Sequence, residues 1–420
     1  MTRPQTRVDE SPGNEQGPLA RSAEDRRAIW VMSLCHGIQH FYVAGLAVTY
    51  PFVVAHFHIS YTVLGLWLTA AGVIGGILQA SAGFVRRARV RVILTLQDLG
   101  MAGAAFLGAA SPAFTVFGSA RISGAVASWP QHPVGSAYLS ERFPRRRATA
   151  LSWHTAGGSA GTAVVPLIAS AVIATAGWRW ALVTVGGALV AGAALVWTAL
   201  PDERSRTLSG PDGAAASMRA ALHHILRQRQ AVAVLAAGTV AAGGRGLGVL
   251  NAYIPAYLRS GLHLSALGVG GIFTVVMVAS IAGPVAGGML ADRFGRRRIL
   301  IVTYVGGALA VAAFGAVGRH LVALVVTGLL VGVLAYAESP LLQALFADMT
   351  ADTEPRAAFG VFYAIAYGVG ALWTAIVGWL IDVAGFSAAF GVMGASFVAA
   401  ALIIHLGISD RPGLDRSLQR

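Results

Sequence analysis

Residues 287–298 read GGMLADRFGRRR and separate two long apolar segments of the chain. The only acidic residue of this stretch, Asp292, is surrounded by arginines at 293, 296, 297 and 298. A helix needs about 20 apolar residues to cross a bilayer. The flanking segments, at roughly 265–290 and 298–317, are long enough. The stretch is therefore predicted to be a short charged turn between two membrane-spanning helices.

Apolar segments of similar length recur along the whole chain. They are predicted at 28–56, 61–85, 92–110, 113–139, 147–175, 179–200, 230–258, 265–290, 298–317, 320–347, 356–382 and 386–408. The composition agrees, because 56% of the 420 residues are hydrophobic and only 12% are charged, which is too apolar for a soluble protein. We predict an all-α membrane protein with twelve transmembrane helices.

The basic residues predict the orientation in the membrane. All 31 are arginines. If the spans alternate in direction, 26 lie on one side, three lie on the other (Arg179, Arg259 and Arg319) and two lie within spans (Arg121 and Arg245). The positive-inside rule then places both termini in the cytoplasm and the chain in the inner membrane. A nucleic-acid partner is not expected, because its basic contacts would cluster on one soluble face.

The longest polar break divides the chain into two halves. We predict a disordered cytoplasmic tail at 1–27, six-helix bundles at 28–200 and 230–408, a cytoplasmic central loop at 201–229 with a short interfacial helix around Met218 to Gln228, and a cytoplasmic tail at 409–420. The halves match each other at an offset of 204 to 209 residues, for example at Pro51 and Pro255 and at Pro133 and Pro340. Such a repeat is typical of secondary transporters.

Residues 287–298 resemble the G-x-L-a-D-r-x-G-r-r loop of the major facilitator superfamily. The resemblance implies two pseudo-symmetric six-helix bundles and transport by alternating access. It also implies a cytoplasmic gate loop made of Gly288, Asp292, Arg293, Gly295 and Arg296. Gly288 is predicted to permit close helix packing, and Asp292 to form a charge-assisted latch with the arginines.

The equivalent loop of the first half, residues 83–91, keeps a glycine and basic charge but has an arginine in place of the acid. Asp98, in the third span, is a candidate substitute carboxylate. The alternative is that Asp98 only neutralises Arg91.

Two stretches resemble the fosmidomycin-resistance-like branch of efflux proteins. One runs from His40 to Pro51, and the other is His132-Pro133 in the fourth span. A third stretch, Arg121-Ile-Ser-Gly, resembles a shortened form of the superfamily motif whose arginine is associated with proton coupling in antiporters. These resemblances imply proton-coupled efflux.

The resemblance further implies that spans one, four, seven and ten line a central cavity. The candidate residues for substrate binding and proton coupling there are His40, Arg121, His132, Arg245 and Glu338. The arginines are predicted to receive an anionic or polar substrate and Glu338 to carry a proton. The alternative is that Glu338 pairs permanently with one arginine and only holds helices together. The histidines are candidates for proton relay or for neutral hydrogen bonding between helices.

Aromatic residues of the spans are candidates for stacking on a ring-bearing substrate, or for simple packing. They are Trp129, Trp153, His154, Tyr336, Tyr363, Tyr367 and Trp373. Prolines at 130, 133 and 340 are predicted to interrupt the fourth and tenth spans, and such breaks mark binding sites in transporters. His223 and His224 in the central loop are interpreted as solvated residues, and neither a metal site nor a cofactor is predicted.

No phosphate-binding loop motif is present, so the energy for transport must come from an ion or solute gradient. The leading prediction is a proton-coupled exporter of a small organic molecule. The alternatives are an uptake symporter or exchanger for a metabolite anion and a non-transporting membrane sensor or scaffold. An enzyme is not expected, because neither a Ser-His-Asp order nor a cluster of metal ligands is evident in the sequence. A monomer suffices for this architecture.

Overall fold

The computed structural model describes residues 22–80, 89–202 and 214–409. Its helices are α1 Ala23–Phe57, α2 Tyr61–Ala80, α3 Val90–Ala109, α4 Phe114–Ser128, α5 Gln131–Arg142, α6 Arg147–Ala176, α7 Trp178–Ala199, α8 Ala214–Arg227, α9 Arg229–Ala241, α10 Asn251–Ala256, α11 Ala266–Phe294, α12 Arg296–Ala316, α13 Leu321–Ala335, α14 Glu338–Met349, α15 Pro355–Phe362 and α16 Leu372–Gly407. Three π-helical segments add Gly246–Leu250, Tyr257–Gly261 and Tyr363–Gly368.

These helices form the twelve predicted spans. Nine helical segments of the described residues, one of which is 321–349 with a break inside it, are long and apolar enough to cross a membrane. Two more spans are broken, one into α4 and α5 and the other into α9, α10 and their π-helical neighbours. The segment 357–407 holds two spans, because it bends at Gly385, where φ is +80°. Glycine adopts this backbone conformation without steric strain.

The start of the first helix differs from the prediction. Helix α1 begins at Ala23, five residues early, because Ser22 caps it by accepting the Asp25 backbone N–H at 3.0 Å. Ser22 is a favourable residue for that position. Residues 1–21 of the predicted tail and 83–88 of the first-half loop lie outside the described residues. In the central loop, α8 overlaps the predicted short helix.

The two halves each contain six spans and pack as bundles. In the first half α1 packs on α6 and α3 on α7, and in the second α11 packs on α13 and α12 on α16. Between the halves, α2 packs along α16 and α6 along α11. We call the side where α1 begins the terminal face and the side where α1 ends the far face.

The tightest helix contacts use glycines that the gate-loop resemblance did not single out. A Cβ added to Gly157 or Gly161 of α6 would lie 2.0 Å from the Ser33 oxygen or 2.1 Å from the Gly37 oxygen of α1. The prediction of close packing at Gly288 was wrong, because no atom lies within 4 Å of its added Cβ. The close contact of α11 lies instead at Gly283, one turn and a half earlier.

Gly161→Ala is expected to destabilise the protein, whereas Gly288→Ala is not. The new methyl group of the first variant collides with a backbone carbonyl that cannot rotate away, at a cost of about 1 to 3 kcal/mol. The second variant gains helix propensity without a collision, worth up to about 1 kcal/mol. Free energies of unfolding measured in detergent should separate the two variants. Equal values would contradict the packing argument.

Hydrogen bonds join the two halves near the far face. The carboxylate of Asp382 in α16 accepts the backbone N–H groups of Tyr61 and Thr62 at 3.0 and 2.7 Å, and the Thr62 hydroxyl at 2.6 Å. An anionic acceptor at the first residues of α2 is favourable, because the N–H groups of a helix start lack partners within the helix. Deeper along the same helices, the Thr69 hydroxyl donates to the Ala371 carbonyl at 2.9 Å.

Candidate functional site

Helix breaks position the site residues. The fourth span is interrupted at Trp129–Pro130 and the tenth at Tyr336–Ala337, which confirms the predicted interruptions. The two breaks are 207 residues apart, as expected for corresponding points of a repeat. In the tenth span the break places Glu338 in the first turn of α14.

A third break, in the seventh span, was not predicted. The α-helix ends at Ala241, and the next helical segment is the π-helix Gly246–Leu250. Between them, Arg245 has an extended backbone with ψ near 131°. Glycines at 243, 244, 246 and 248 mark this point in the sequence. Four glycines within six residues weaken a helix, so the signal was available.

Arg245 and Glu338 form a buried ion pair across two of these breaks. The Arg245 Nε donates to the Glu338 Oε1 at 2.8 Å, and the two side chains are 5% and 0% exposed. The other guanidinium nitrogens of Arg245 donate to backbone carbonyls of Ala366 and Gly238 at 3.0 and 2.6 Å. These carbonyls lie in or before irregular helix, where the regular backbone partner is lost. Arg245 thus neutralises the acid and also donates hydrogen bonds to backbone carbonyls at the helix breaks.

Tyrosines complete the surroundings of this pair. The Tyr304 hydroxyl donates to the second Glu338 oxygen at 3.3 Å, and the ring of Tyr367 lies 4.3 Å from the guanidinium carbon of Arg245. Next to them, Tyr367 contacts the Ser339 hydroxyl, and Gln343 links Ser339 to Tyr363 through hydrogen bonds of 3.1 and 3.0 Å. These half-buried groups form a polar surface beside the ion pair.

Arg121 is separate from that pair. It lies in α4, and its Nε donates to the hydroxyl oxygen of Tyr50 in α1 at 3.1 Å. No carboxylate of a described residue is within ion-pair distance of Arg121, which is only half-buried. Of the two intramembrane arginines, the structure therefore places only Arg245 beside Glu338. A half-buried arginine without an acid is suited to bind an anion.

The predicted histidines, His40, His132 and His154, meet in the first half with one further imidazole, His36. His40 and His36, one turn apart on α1, approach with 3.1 Å between their Nε2 atoms. His132 of α5 stands edge-on to both, with ring centroids 5.1 Å from His36 and 6.3 Å from His40. His154 of α6 stacks on His36 at 4.1 Å. The prediction named His40, His132 and His154 but did not place them together.

Asp98 is not the partner of Arg91. The Arg91 side chain pairs with Asp202 at 3.2 Å near the terminal face. Asp98 is 1% exposed and accepts one hydrogen bond, from the Gln97 amide at 3.1 Å. The same Gln97 amide donates to Gln131 beside the break of the fourth span, at 2.9 Å. The neutralising interpretation of Asp98 was therefore wrong, because α3 directs its side chain into the bundle.

The remaining predicted aromatic residues do not form one surface. Tyr336 is buried and donates to Asn251, and Trp373 donates to the Thr239 carbonyl at 3.0 Å. Trp153 is 47% exposed and packs against Trp30 of α1, with 5.6 Å between ring centroids. Trp129 packs against a small apolar cluster of the first half. Of the predicted aromatic residues, Tyr363 and Tyr367 belong to the polar surface beside the ion pair.

A cavity of about 410 Å³ opens at the far face, between α1, α6, α7 and the second half. Phe52, Trp178, Arg259 and Leu267 are among its lining residues. It contains none of the predicted site residues. The Arg259 guanidinium lies 5.2 Å from the ring of Phe52 there and donates to the Leu264 carbonyl at 2.9 Å.

The family model described as Major Facilitator Superfamily matches residues 32–269 and 234–418, which is most of the chain. The chain belongs to the major facilitator superfamily. It is accordingly a membrane transporter and not an enzyme. The chain is 25% identical to a hexuronate transporter of Escherichia coli K12 over 393 residues, which cover 87% of this chain and 86% of that protein.

Solved transporter structures share the fold. A crystal structure of a nucleoside transporter superposes with a TM-score of 0.77 at 12% identity, covering 91% of this chain and all of that one. A D-xylose-proton symporter superposes with a TM-score of 0.71 at 17% identity, covering 91% of this chain and 98% of that one. Identities this low support the fold of the superfamily and carry nothing about substrate.

The superfamily gate loop is arranged differently from the predicted latch. Asp292 and Arg293 are exposed, and Asp292 pairs with no described residue. The ion pair of this loop joins Arg296, in the first turn of α12, to Asp348 of α14. Gly295, with φ of +90°, forms the turn between α11 and α12.

Several polar residues that make buried or interhelical hydrogen bonds in this superfamily member were not predicted. Tyr304 and Thr162 resemble any other hydroxyl residue in an apolar span, so no signal identified them. Asp382 did carry a signal, because an acid inside an apolar span is costly unless it has a partner. His36 was not among the predicted site residues.

Proposed function

We propose that the protein is a proton-coupled transporter of a small organic anion that works by alternating access. The observation that carries this proposal is the buried Arg245–Glu338 pair. The pair is neutral as a whole. A proton that binds Glu338 removes the counter-charge of Arg245 and leaves one uncompensated positive charge inside the bundle, which is costly in a low-dielectric interior.

An anionic substrate supplies the missing negative charge. Proton and anion therefore bind best together, which favours symport over exchange. The polar surface of Ser339, Gln343, Tyr363 and Tyr367 adjoins the pair and offers hydrogen-bonding groups to hydroxyls or carboxylates of a substrate. Rearrangement of the Tyr367 ring would open Arg245 to this surface, because the ring lies directly on the guanidinium.

Arg121, in the first half of the chain, can balance the negative charge of the substrate. Its guanidinium has one tyrosine contact and no described acid, so a carboxylate can bind it without displacing an ion pair. The 25% identical hexuronate transporter, whose name denotes a sugar acid, is in keeping with an anionic substrate. Orientation with both termini in the cytoplasm, an inner-membrane location and action as a monomer remain parts of this proposal.

Liposomes that contain the purified protein and a pH-sensitive dye test the proposal. Hexuronates, other organic acids, phosphonates and cationic drugs are added outside in turn. Symport predicts that a transported anion acidifies the interior, since proton and anion enter together. Cationic compounds should produce no signal. If no compound moves protons although the protein is folded, proton coupling is refuted.

A second candidate is proton-coupled efflux by exchange. The resemblance of His40 to Pro51 and of His132-Pro133 to the fosmidomycin-resistance-like branch favours it. In the same liposomes, exchange predicts the opposite sign, because a compound that enters drives protons out and makes the interior alkaline. The sign of the pH change therefore decides between the two candidates.

Arg121→Gln is expected to reduce anion transport at least about tenfold. The reason is that it removes one charged hydrogen bond, which is worth about 1.5 to 3 kcal/mol. Arg121→Lys should retain part of the activity, because it keeps the charge but not the planar donors. Arg319→Gln, at an exposed arginine outside the bundle core, is the matched control. Initial rates of radiolabelled anion uptake measure the effect. Wild-type rates in Arg121→Gln would remove Arg121 from the substrate site.

A further inference from the structure

We propose that His36, His40 and His132 form a binding site for one divalent transition-metal ion, such as Zn²⁺. Ring nitrogens of the three imidazoles all lie within 4.8 Å of one another. Two of them come from successive turns of α1 and the third from α5, directly after the break of the fourth span. Histidines four residues apart on one helix face a common point, as in many zinc sites.

The hydrogen bonds of His36 point its Nε2 lone pair into this site. Its Nδ1 lies 2.8 Å from the backbone carbonyl oxygen of His154. A carbonyl can only accept, so Nδ1 carries the hydrogen and Nε2 of the neutral ring is unprotonated. This is the arrangement of metal-binding histidines, which donate their other nitrogen to a carbonyl or carboxylate.

His40 is oriented in the same way by Thr162. The Nδ1 of His40 lies 2.6 Å from the Thr162 hydroxyl oxygen, and that hydroxyl can donate to the Gly158 carbonyl at 3.0 Å. With the Thr162 hydroxyl donating to Gly158, its oxygen accepts from Nδ1, and Nε2 of His40 is then unprotonated. In that tautomer two lone pairs face each other across 3.1 Å, and a cation between them would bind both.

A metal ion accounts for more of the surroundings than a shared proton does. Ligands of a tetrahedral zinc ion at about 2.0 to 2.1 Å stand roughly 3.3 Å from each other, close to the observed Nε2 separation. A proton would need only two nitrogens, whereas a third imidazole, His132, faces the pair. His132 is exposed, so water can reach the ion and complete its coordination.

The donor set selects the kind of ion. Imidazole nitrogen suits Zn²⁺, Ni²⁺, Co²⁺ and Cu²⁺, whereas Mg²⁺ and Ca²⁺ prefer oxygen ligands. The fourth imidazole, His154, lies flat against His36 with its Nε2 buried and without a hydrogen bond to a described group. A bound ion would tie α1 to α5 across the break of the fourth span.

Zinc binding to the full-length protein in detergent tests this site, independently of any transport activity. The protein is purified through a tag without histidines and titrated with ZnCl₂ in a calorimeter. We expect one ion per protein and no heat from MgCl₂. His40→Gln and His132→Gln should each weaken binding at least about tenfold, and Thr162→Val, which removes the orienting oxygen, should weaken it about 10- to 100-fold.

Two control variants should bind Zn²⁺ like the wild type. His154→Phe keeps the stacked ring but removes an imidazole outside the three proposed ligands, and His405→Gln changes an exposed histidine of α16. Monodisperse elution of every variant establishes that it is folded. The absorption spectrum of Co²⁺-loaded protein should show tetrahedral coordination and lose it in His40→Gln.

Either of two results would overturn the proposal. One is that folded wild-type protein binds no Zn²⁺, which would leave only a proton or neutral hydrogen bonds between His36 and His40. The other is that His40→Gln and His132→Gln bind Zn²⁺ as tightly as the wild type. The ion would then bind elsewhere, with His223 and His224 of α8 as the next pair to replace.

Discussion

Glu338→Gln is expected to abolish proton-coupled transport and to lower the free energy of unfolding by about 3 to 5 kcal/mol, which is typical when one member of a buried ion pair is removed. The glutamine cannot carry a transported proton, and it leaves the Arg245 guanidinium without a counter-charge in a site that is closed to solvent. Tyr304 loses its charged acceptor in the same variant. Flux in dye-loaded liposomes and unfolding in detergent measure the two effects.

A double variant separates the functional role of the pair from a structural one. Arg245→Met with Glu338→Met removes both charges, and replacing a whole buried pair by apolar residues is often neutral or stabilising. We expect this protein to regain most of its stability and still to lack coupled transport. If it transports protons and anion normally, the pair only holds spans seven and ten together. Asp352→Asn, at an exposed acid, is the control.

Asp382→Ala is expected to open the far face. The variant removes the acceptor of three hydrogen bonds that join α16 to the start of α2. For a partly exposed charged acceptor we expect a loss of about 2 to 3 kcal/mol. That loss corresponds to a shift of roughly 30- to 150-fold between closed and open far-face populations. Thr62→Val removes only one of the three bonds and should have a smaller effect.

Spin-label distances across the far face measure this shift. Exposed positions Ala55 of α1 and Leu267 of α11 accept cysteine labels, in a background where the buried Cys35 is replaced by alanine. The distance distribution should move to longer values in Asp382→Ala and by less in Thr62→Val. An unchanged distribution would show that helix packing, and not the carboxylate, holds the far face together.

The spans and two of the helix breaks could be predicted because their causes are local. A run of about 20 apolar residues must cross the bilayer as a helix whatever surrounds it. Pro133 and Pro340 lack the N–H group that a helix interior needs. The break at Arg245 has a local cause as well, in its neighbouring glycines, but an apolar run of normal length concealed it.

The site could be predicted only as a set of polar residues. The cost of burying charge marked Arg121, Arg245 and Glu338 as functional or paired, without saying which arginine binds the acid. The contacts of the gate loop could not be predicted either. Its pattern identified the family correctly, but the predicted close packing at Gly288 and the predicted latch at Asp292 were wrong. Neither contact is formed among the residues that the structure describes.

The sequence by itself determined twelve helical spans, their division into two repeated halves and the superfamily, because apolar length and internal repetition are properties of the chain alone. Only the tertiary structure decided that Glu338 pairs with Arg245, 93 residues away, and that no acid of the described residues pairs with Arg121, which contacts Tyr50 instead. It also brought His132 to His36 and His40, and Asp382 to the start of α2. These contacts depend on where the broken helices place their side chains. The positions of the broken helices are set by packing between spans that are distant in sequence.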